Sequence, residues 1–221
     1  MDARKDTRRY TLYGFKGSGS AAVELALELA ELPCRLVDAA SWESGSAVDE
    51  LQRLNPLRQI PTLQLPDGSI LTESAAILLH LGLAHLSAGL LPLDQSRRAQ
   101  AIRGLVFIAA NCYAAIGVID FPERWCIDAD DAVKEHIREG ARQRLHSYWE
   151  IFADTYFDTY AASPFLNGAT PGALDLLAAV VSKWSGARPH LERMRPAFFK
   201  LIETVEVHPK VAPVWRRHWD I

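Results

Sequence analysis

Residues 55–81 read NPLRQIPTLQLPDGSILTESAAILLHL, and this stretch decides the fold. Pro61 follows Ile60 and opens an alternating run, Thr62-Leu63-Gln64-Leu65, with the period-two pattern of a strand. Proline is tolerated at the first residue of a strand because its missing N–H falls outside the ladder. Pro66-Asp67-Gly68 supplies turn chemistry, and Ser69-Ile70-Leu71 reads as the returning strand. Thr72-Glu73-Ser74 then begins an apolar segment, residues 75–81, with the composition of a helix start. Strand, tight turn, strand and helix follow one another within this one stretch.

Such an arrangement makes a binding surface. An X-Pro bond in a sharp entry turn is a candidate for the cis form, which leaves the backbone N–H and C=O of Ile60 facing outward. The first N–H groups of the helix at Ser74 form an anion site nearby. A peptide with a carboxylate at one end can use both. The residues resemble the second half of the glutathione-binding domain of glutathione S-transferases, through the pattern N-P-x-x-x-[I/V]-P-x-L…D-G-x-x-L-x-E-S-x-A-I. A plain hairpin packed on a helix, with Glu73 and Ser74 as caps, accounts for either half alone; both halves at this spacing favour the family. The resemblance implies that Ile60 pairs with the tripeptide backbone, that Pro61 fixes the turn, and that Glu73 and Ser74 hold the γ-glutamyl end. Arg58 and Gln59, just before the proline step, are candidates for its carboxylates or carbonyls.

Toward the N-terminus, residues 10–15 form a short aromatic and β-branched run that reads as a strand. The turn Lys16-Gly17-Ser18-Gly19-Ser20 follows, then a helix over residues 21–31 with Val23, Leu27 and Ala30 on one face. Cys34-Arg35-Leu36-Val37 reads as the next strand, so a parallel βαβ unit is expected, with Cys34 in the core. A polar loop holding Trp42 leads to a short helix over residues 48–54. The order βαβ–α–ββα resembles the α/β thioredoxin-like fold of the transferase N-terminal domain, with a mixed four-stranded sheet.

The glycine-serine turn is where thiol chemistry belongs. A free thiol with a pKa of about 8.5 is only slightly ionised at neutral pH. Lowering that value by about two units takes roughly 2.7 kcal/mol in favour of the anion. A hydroxyl donating to the sulfur supplies about 1.5–3 kcal/mol, and a helix N-terminus adds roughly 0.3–1 kcal/mol. One serine therefore suffices. Family resemblance implies a hydroxyl or thiol after the first strand, and counting back from Val23 its usual position falls on Gly17. The candidates are Ser18 first, Ser20 second and Tyr13 third, Ser20 being also well placed to cap the helix. The turn holds no cysteine, so glutathione itself must bring the sulfur, unlike in glutaredoxins.

Residues 85–96 resemble the family's interdomain linker, which places a glutathione-binding domain at 8–84 and an all-α domain at 97–221. Helical periodicity is expected over residues 97–117, 131–160, 172–184, 190–207 and 210–219. The family's helix-capping pattern G-x-x-[S/T]-x-x-D is matched by Asp175, but Gly172 replaces the hydroxyl residue, which predicts a weaker cap. An acceptor pocket for a small hydrophobic electrophile is expected from Phe15, Phe107, Asn111, Tyr113 and Trp125.

Charged residues make up 23% of the chain and the formal net charge is −3, so neither a nucleic-acid surface nor a polybasic membrane contact is indicated. The basic cluster at residues 5–9 reads as a frayed terminus. No apolar run reaches the roughly 20 residues that span a bilayer. Three cysteines without metal-ligand spacing point to a reduced, cytoplasmic setting and no metal. The resemblance implies glutathione as co-substrate and a homodimer. Two other readings stay open: a glutathione-dependent disulfide-bond reductase or peroxidase, and a non-catalytic glutathione-binding scaffold, which Gly17 favours.

Overall fold

The computed structural model describes residues 9–157 and 163–219. Residues 5–8 of the basic cluster, and Tyr160, where the longest expected helix ends, lie outside the described residues. The chain begins with β1 (Tyr10–Gly14), α1 (Ser20–Leu29), β2 (Cys34–Asp38), α2 (Val48–Leu54), β3 (Thr62–Gln64), β4 (Ile70–Thr72) and α3 (Ser74–Ala84). The four strands form one sheet in the order β2-β1-β3-β4, with β1 and β2 parallel and the other pairs antiparallel. This is the thioredoxin-like architecture expected from the sequence. As the inner strand of the crossover, β1 is buried along its whole length. Its side chains alternate between the two faces, and Tyr13 packs with Ala39 and Leu51.

Register places the candidate segments. Tyr13 pairs with Thr62, and Thr62 pairs with Thr72. The end of β1, the start of β3 and the end of β4 therefore share one edge of the sheet. The turn after β1, the Ile60-Pro61 step before β3 and the Glu73-Ser74 pair after β4 all leave from that edge. At the opposite end of the hairpin, Asp67 Oδ1 accepts from Ser69 N–H (2.9 Å) and Ser69 Oγ–H (2.6 Å), and Gly68 takes φ +91°, which closes the turn. Cys34 departs from expectation. It lies on edge strand β2, which has no neighbour on its outer side, so it is half buried rather than in the core.

The described residues divide into two compact units: those up to Leu91 together with those from Val207 onward, and Pro92–Glu206. The second unit is helical, with α4 (Gln95–Phe107), α5 (Ala114–Asp120), α6 (Asp131–Phe152), α7 (Ala173–Val181), α8 (Ala187–Met194) and α9 (Pro196–Glu206). Asp94 and Asp130 start α4 and α6 by accepting the Arg97 and Val133 N–H groups, each at 2.8 Å. The single helix expected over residues 190–207 is two, because Pro196 cannot continue the hydrogen-bond ladder and Arg195 turns to φ −142°. A wide, π-helical turn at Ile108–Tyr113 joins α4 to α5, where the Asn111 amide donates to the Phe107 carbonyl at 3.0 Å. Gln95–Asp120 is thus continuous, and by length and composition it is apolar enough to cross a membrane, contrary to the sequence expectation. Its Leu105, Ile108, Cys112 and Ile116 are buried in the second unit's core. The last helix, α10 (Ala212–His218), belongs to the first unit and packs on α1.

Candidate active site

The turn after β1 closes on itself through two serines. Ser18 Oγ–H donates to the Phe15 carbonyl at 2.8 Å, and the Ser18 and Ser20 hydroxyls are 2.8 Å apart. The Phe15 N–H donates to Ser20 Oγ at 3.1 Å, and the Ser20 N–H points at Ser18 Oγ at 3.3 Å. Ser20 is buried and Ser18 half-buried. Ser20 is not the helix cap. Gly19 occupies that position without a side-chain bond, and Ser20 turns inward to accept from the half-buried Phe15 N–H. Gly14 makes room for it, since a Cβ there would meet Ser20 Oγ at 2.4 Å. Phe15 N–H fills Ser20 Oγ, and both serine hydroxyls can reach the Phe15 carbonyl, Ser18 at 2.8 Å and Ser20 at 3.3 Å, so either serine can donate to the other. With Ser18 O–H on the carbonyl, an incoming anion can compete for it.

Tyr13 is placed elsewhere. Its hydroxyl donates to Glu50 Oε1 at 2.6 Å, and burial, with that bond, pushes the phenol up to about 12. Gly17, at the family's usual hydroxyl position, has φ +71°, a left-handed conformation that a side chain would strain. Its N–H donates to His218 Nδ1 at 3.1 Å. Behind the turn lies a cavity of about 160 Å³ walled by Lys16, Ser20, Glu24, Asp38, Arg217 and His218. Burial pushes the Glu24 carboxyl up, but hydrogen bonds from His218 and Arg217 outweigh it and hold the group below the ordinary carboxylate range.

The Ile60-Pro61 peptide bond is cis. Among the described residues neither the N–H nor the C=O of Ile60 has a hydrogen-bond partner. A buried asparagine holds the approach to this step: Asn55 Nδ2 donates to the Gln59 carbonyl (3.0 Å) and to Thr62 Oγ1 (3.0 Å), while its Oδ1 accepts from Leu57 N–H (3.1 Å). The Gln59 carbonyl is therefore spent inside the loop, whereas the Gln59 and Arg58 side chains are exposed. The asparagine was legible as part of the N-P pattern, but its bracing role required a partner seven residues away.

At α3 the chain turns through Glu73, a non-glycine residue at φ +65°, ψ 110°. Its carbonyl receives the Ile77 N–H at 2.9 Å, but its side chain makes no capping bond and is exposed. The N–H groups of Ser74, Ala75 and Ala76 have no acceptor among the described residues, and the Ser74 hydroxyl has no hydrogen-bond partner there either. Open donors at a helix start, behind a strained residue that costs about 1–3 kcal/mol, form a cradle for a carboxylate.

The five acceptor candidates are divided. Phe15 is in the first unit, its ring edge-on to Trp42 with centroids 6.0 Å apart. The other four are in the second unit. Phe107 packs against Tyr148, Phe152 and Tyr156, Asn111 bonds back to its own helix, and Tyr113 lies against Trp184 at 5.8 Å. Trp125 is exposed.

Comparison with known proteins agrees with this geometry. Residues 20–83 match the model of the glutathione S-transferase N-terminal domain. An uncharacterized GST-like protein of Escherichia coli K12, YncG, is 29% identical over 94% of this chain and 97% of its own length. A crystal structure of a glutathione transferase homologue from Sulfitobacter, with glutathione bound, superposes with a TM-score of 0.78 at 24% identity, covering 94% of this chain and 97% of that one. The bacterial GST BphK, solved as a ternary complex, gives 0.72 at 26% identity over 94% and 98% of the two chains. The matched N-terminal domain, the near full-length relative and the fold make this chain similar to the glutathione S-transferases, with the family's N-terminal domain matched over residues 20–83.

Proposed function

We propose that the protein binds glutathione at the shared sheet edge and activates its thiol for attack on a small hydrophobic electrophile. The observation that carries this reading is the meeting of three hydrogen-bonding segments at one edge. They are the Ser18 hydroxyl, the unpaired Ile60 backbone and the open N–H groups at Ser74. Glutathione lies extended along Ile60-Pro61, pairing its own amide groups with Ile60. Its γ-glutamyl carboxylate takes the α3 cradle with Glu73 beside its ammonium, while Arg58 and Gln59 attend the other end. The thiol loses its proton to solvent, and Ser18 O–H leaves the Phe15 carbonyl to donate to the sulfur anion. With Ser18 turned to the sulfur, the Ser20 hydroxyl is free to donate to Ser18 Oγ, which makes Ser18 a better donor. The anion then forms a carbon–sulfur bond as the electrophile's leaving group departs with its electron pair. Phe15, beside the turn, is proposed as an acceptor contact, and a homodimer as the working assembly.

Ser18→Ala tests this. Loss of a donor to a charged acceptor costs about 1.5–3 kcal/mol, so the bound thiol's pKa rises by about one to two units while glutathione affinity at neutral pH falls less. Thiolate ultraviolet absorbance across pH, with calorimetry beside it, reads both. An unchanged thiol pKa in Ser18→Ala sinks the assignment, and no uptake of glutathione by the wild type sinks the function. One observation favours the scaffold reading: the Ser18 proton already has an acceptor, the Phe15 carbonyl at 2.8 Å. A bound but un-ionised thiol in the wild type decides for it.

A further inference from the structure

We propose that His218 is a positioning residue for the thiol-activating turn, acting from the last helix through the Gly17 backbone. This rests on the reading of Ser18 as the sulfur donor.

The turn's internal bonds all join residues 15, 18 and 20. Gly17 takes part in none of them. With no Cβ and φ +71°, it is the point at which the turn is free to pivot, and its peptide orientation sets where Ser18 begins. Its N–H is held by one acceptor, His218 Nδ1 at 3.1 Å, across 201 residues of sequence. Because Nδ1 accepts, the imidazole proton belongs on Nε2, which faces Glu24 Oε2 at 2.8 Å. Arg217 fixes the other carboxylate oxygen through Nε (3.0 Å) and Nη2 (2.7 Å). His218 and Glu24 are both buried. A chain of hydrogen bonds therefore runs from α1 through a carboxylate and an imidazole of set orientation to the backbone of the turn.

A packing role would require only bulk at position 218. The donor and acceptor on opposite ring nitrogens do something bulk cannot: they fix one N–H vector next to Ser18. Hydroxyl donation to sulfur depends on that vector to within a fraction of an ångström. At the position where the resemblance implies a hydroxyl, this chain has a glycine whose backbone, in a left-handed conformation, donates to the histidine.

His218→Leu removes donor and acceptor, and His218→Gln keeps one of each. Three quantities are measured on the full chain: the exchange rate of the Gly17 amide by NMR, the pKa of bound glutathione from thiolate absorbance, and the glutathione Kd by calorimetry. His218→Leu is expected to speed Gly17 exchange by about tenfold or more, with Ala21 as the internal control. It is expected to raise the bound thiol's pKa by about one unit with Kd changed less than about threefold. His218→Gln is expected to recover at least half of both effects. Wild-type exchange and thiol pKa in His218→Leu overturn the proposal, and so does a Gln variant no better than Leu, which would mean lost packing. If His218→Leu does not fold, the Gln variant alone decides, since wild-type values for it at both readouts then support the bond. Faster Gly17 exchange without any glutathione uptake by the wild type overturns the reading of function but leaves the brace established; normal uptake with unaltered exchange overturns the brace alone.

Discussion

At the scale of single residues, the site is built by small groups that leave room and polar groups that fill it. Gly14 and Ser20 are one unit in this sense, because the serine hydroxyl occupies the space a Cβ on Gly14 would need. Gly14→Ala is expected to push the turn outward and cost about 1–3 kcal/mol, as overpacking does. Ser20→Ala leaves the Phe15 N–H without its acceptor and costs about 1–3 kcal/mol. Urea midpoints read both, and both variants are expected to raise the thiol pKa less than Ser18→Ala. The sequence singled out both serines, but gave Ser20 the capping role on its position before the helix. What it could not show is that a backbone N–H five residues earlier would claim the hydroxyl. Gly172 carries the same lesson. A Cβ there would meet the Asn167 side chain at 2.4 Å, so the missing hydroxyl marks space already filled by Asn167.

At the scale of elements, helix starts carry both stability and function, and the two uses are chemically opposite. The start of α3 is left open, with donors awaiting an anion. The start of α7 is closed from within: Asp175 accepts from the N–H groups of Leu166 (2.7 Å), Gly172 (2.9 Å) and Asn167 (3.1 Å). Glycine has no side chain to return the bond, so this is half a capping box. Complete burial pushes the Asp175 carboxyl up to about 6 against the pull of those three donors. In the fold the group keeps its proton to about pH 6, in the unfolded chain to about 3.8, so stability is lost as pH rises through that window. The urea midpoint of the second unit is expected to fall from pH 4 toward pH 7 through this group, and Asp175→Asn to remove that slope. Asp175→Ala, stranding three donors, is expected to cost about 3 kcal/mol or more. Helix and strand order were legible because period and turn chemistry are local. The break at Pro196 was legible too, since proline within an apolar repeat ends a helix at the residue before it, but periodicity on both sides masked it.

At the scale of the whole molecule, the thioredoxin-like frame was readable from one stretch, while the origin of its last helix was not. Nothing in the amphipathic pattern of residues 210–219 says which partner covers it, and the answer is α1, some two hundred residues earlier. Glu24 is the joint. Its carboxyl is held below the ordinary range, so the stability it brings is present above about pH 4.5 and is lost as pH falls through its folded value. Acid titration of urea midpoints is expected to show the first unit weakening below that point, and Glu24→Gln to flatten the dependence. The second unit's response to Asp175 runs the other way, so the pH profile assigns each transition to its unit.

The His218 contact also orders events in time. On the ribosome, the strands and helices of residues 10–84 emerge early, and a further stretch of the chain, residues 92–206, is translated before the imidazole exists. Until then the turn is untethered and the first unit still lacks the helix that covers α1. Translation arrest anywhere before the downstream helix leaves the Gly17 N–H without its imidazole acceptor.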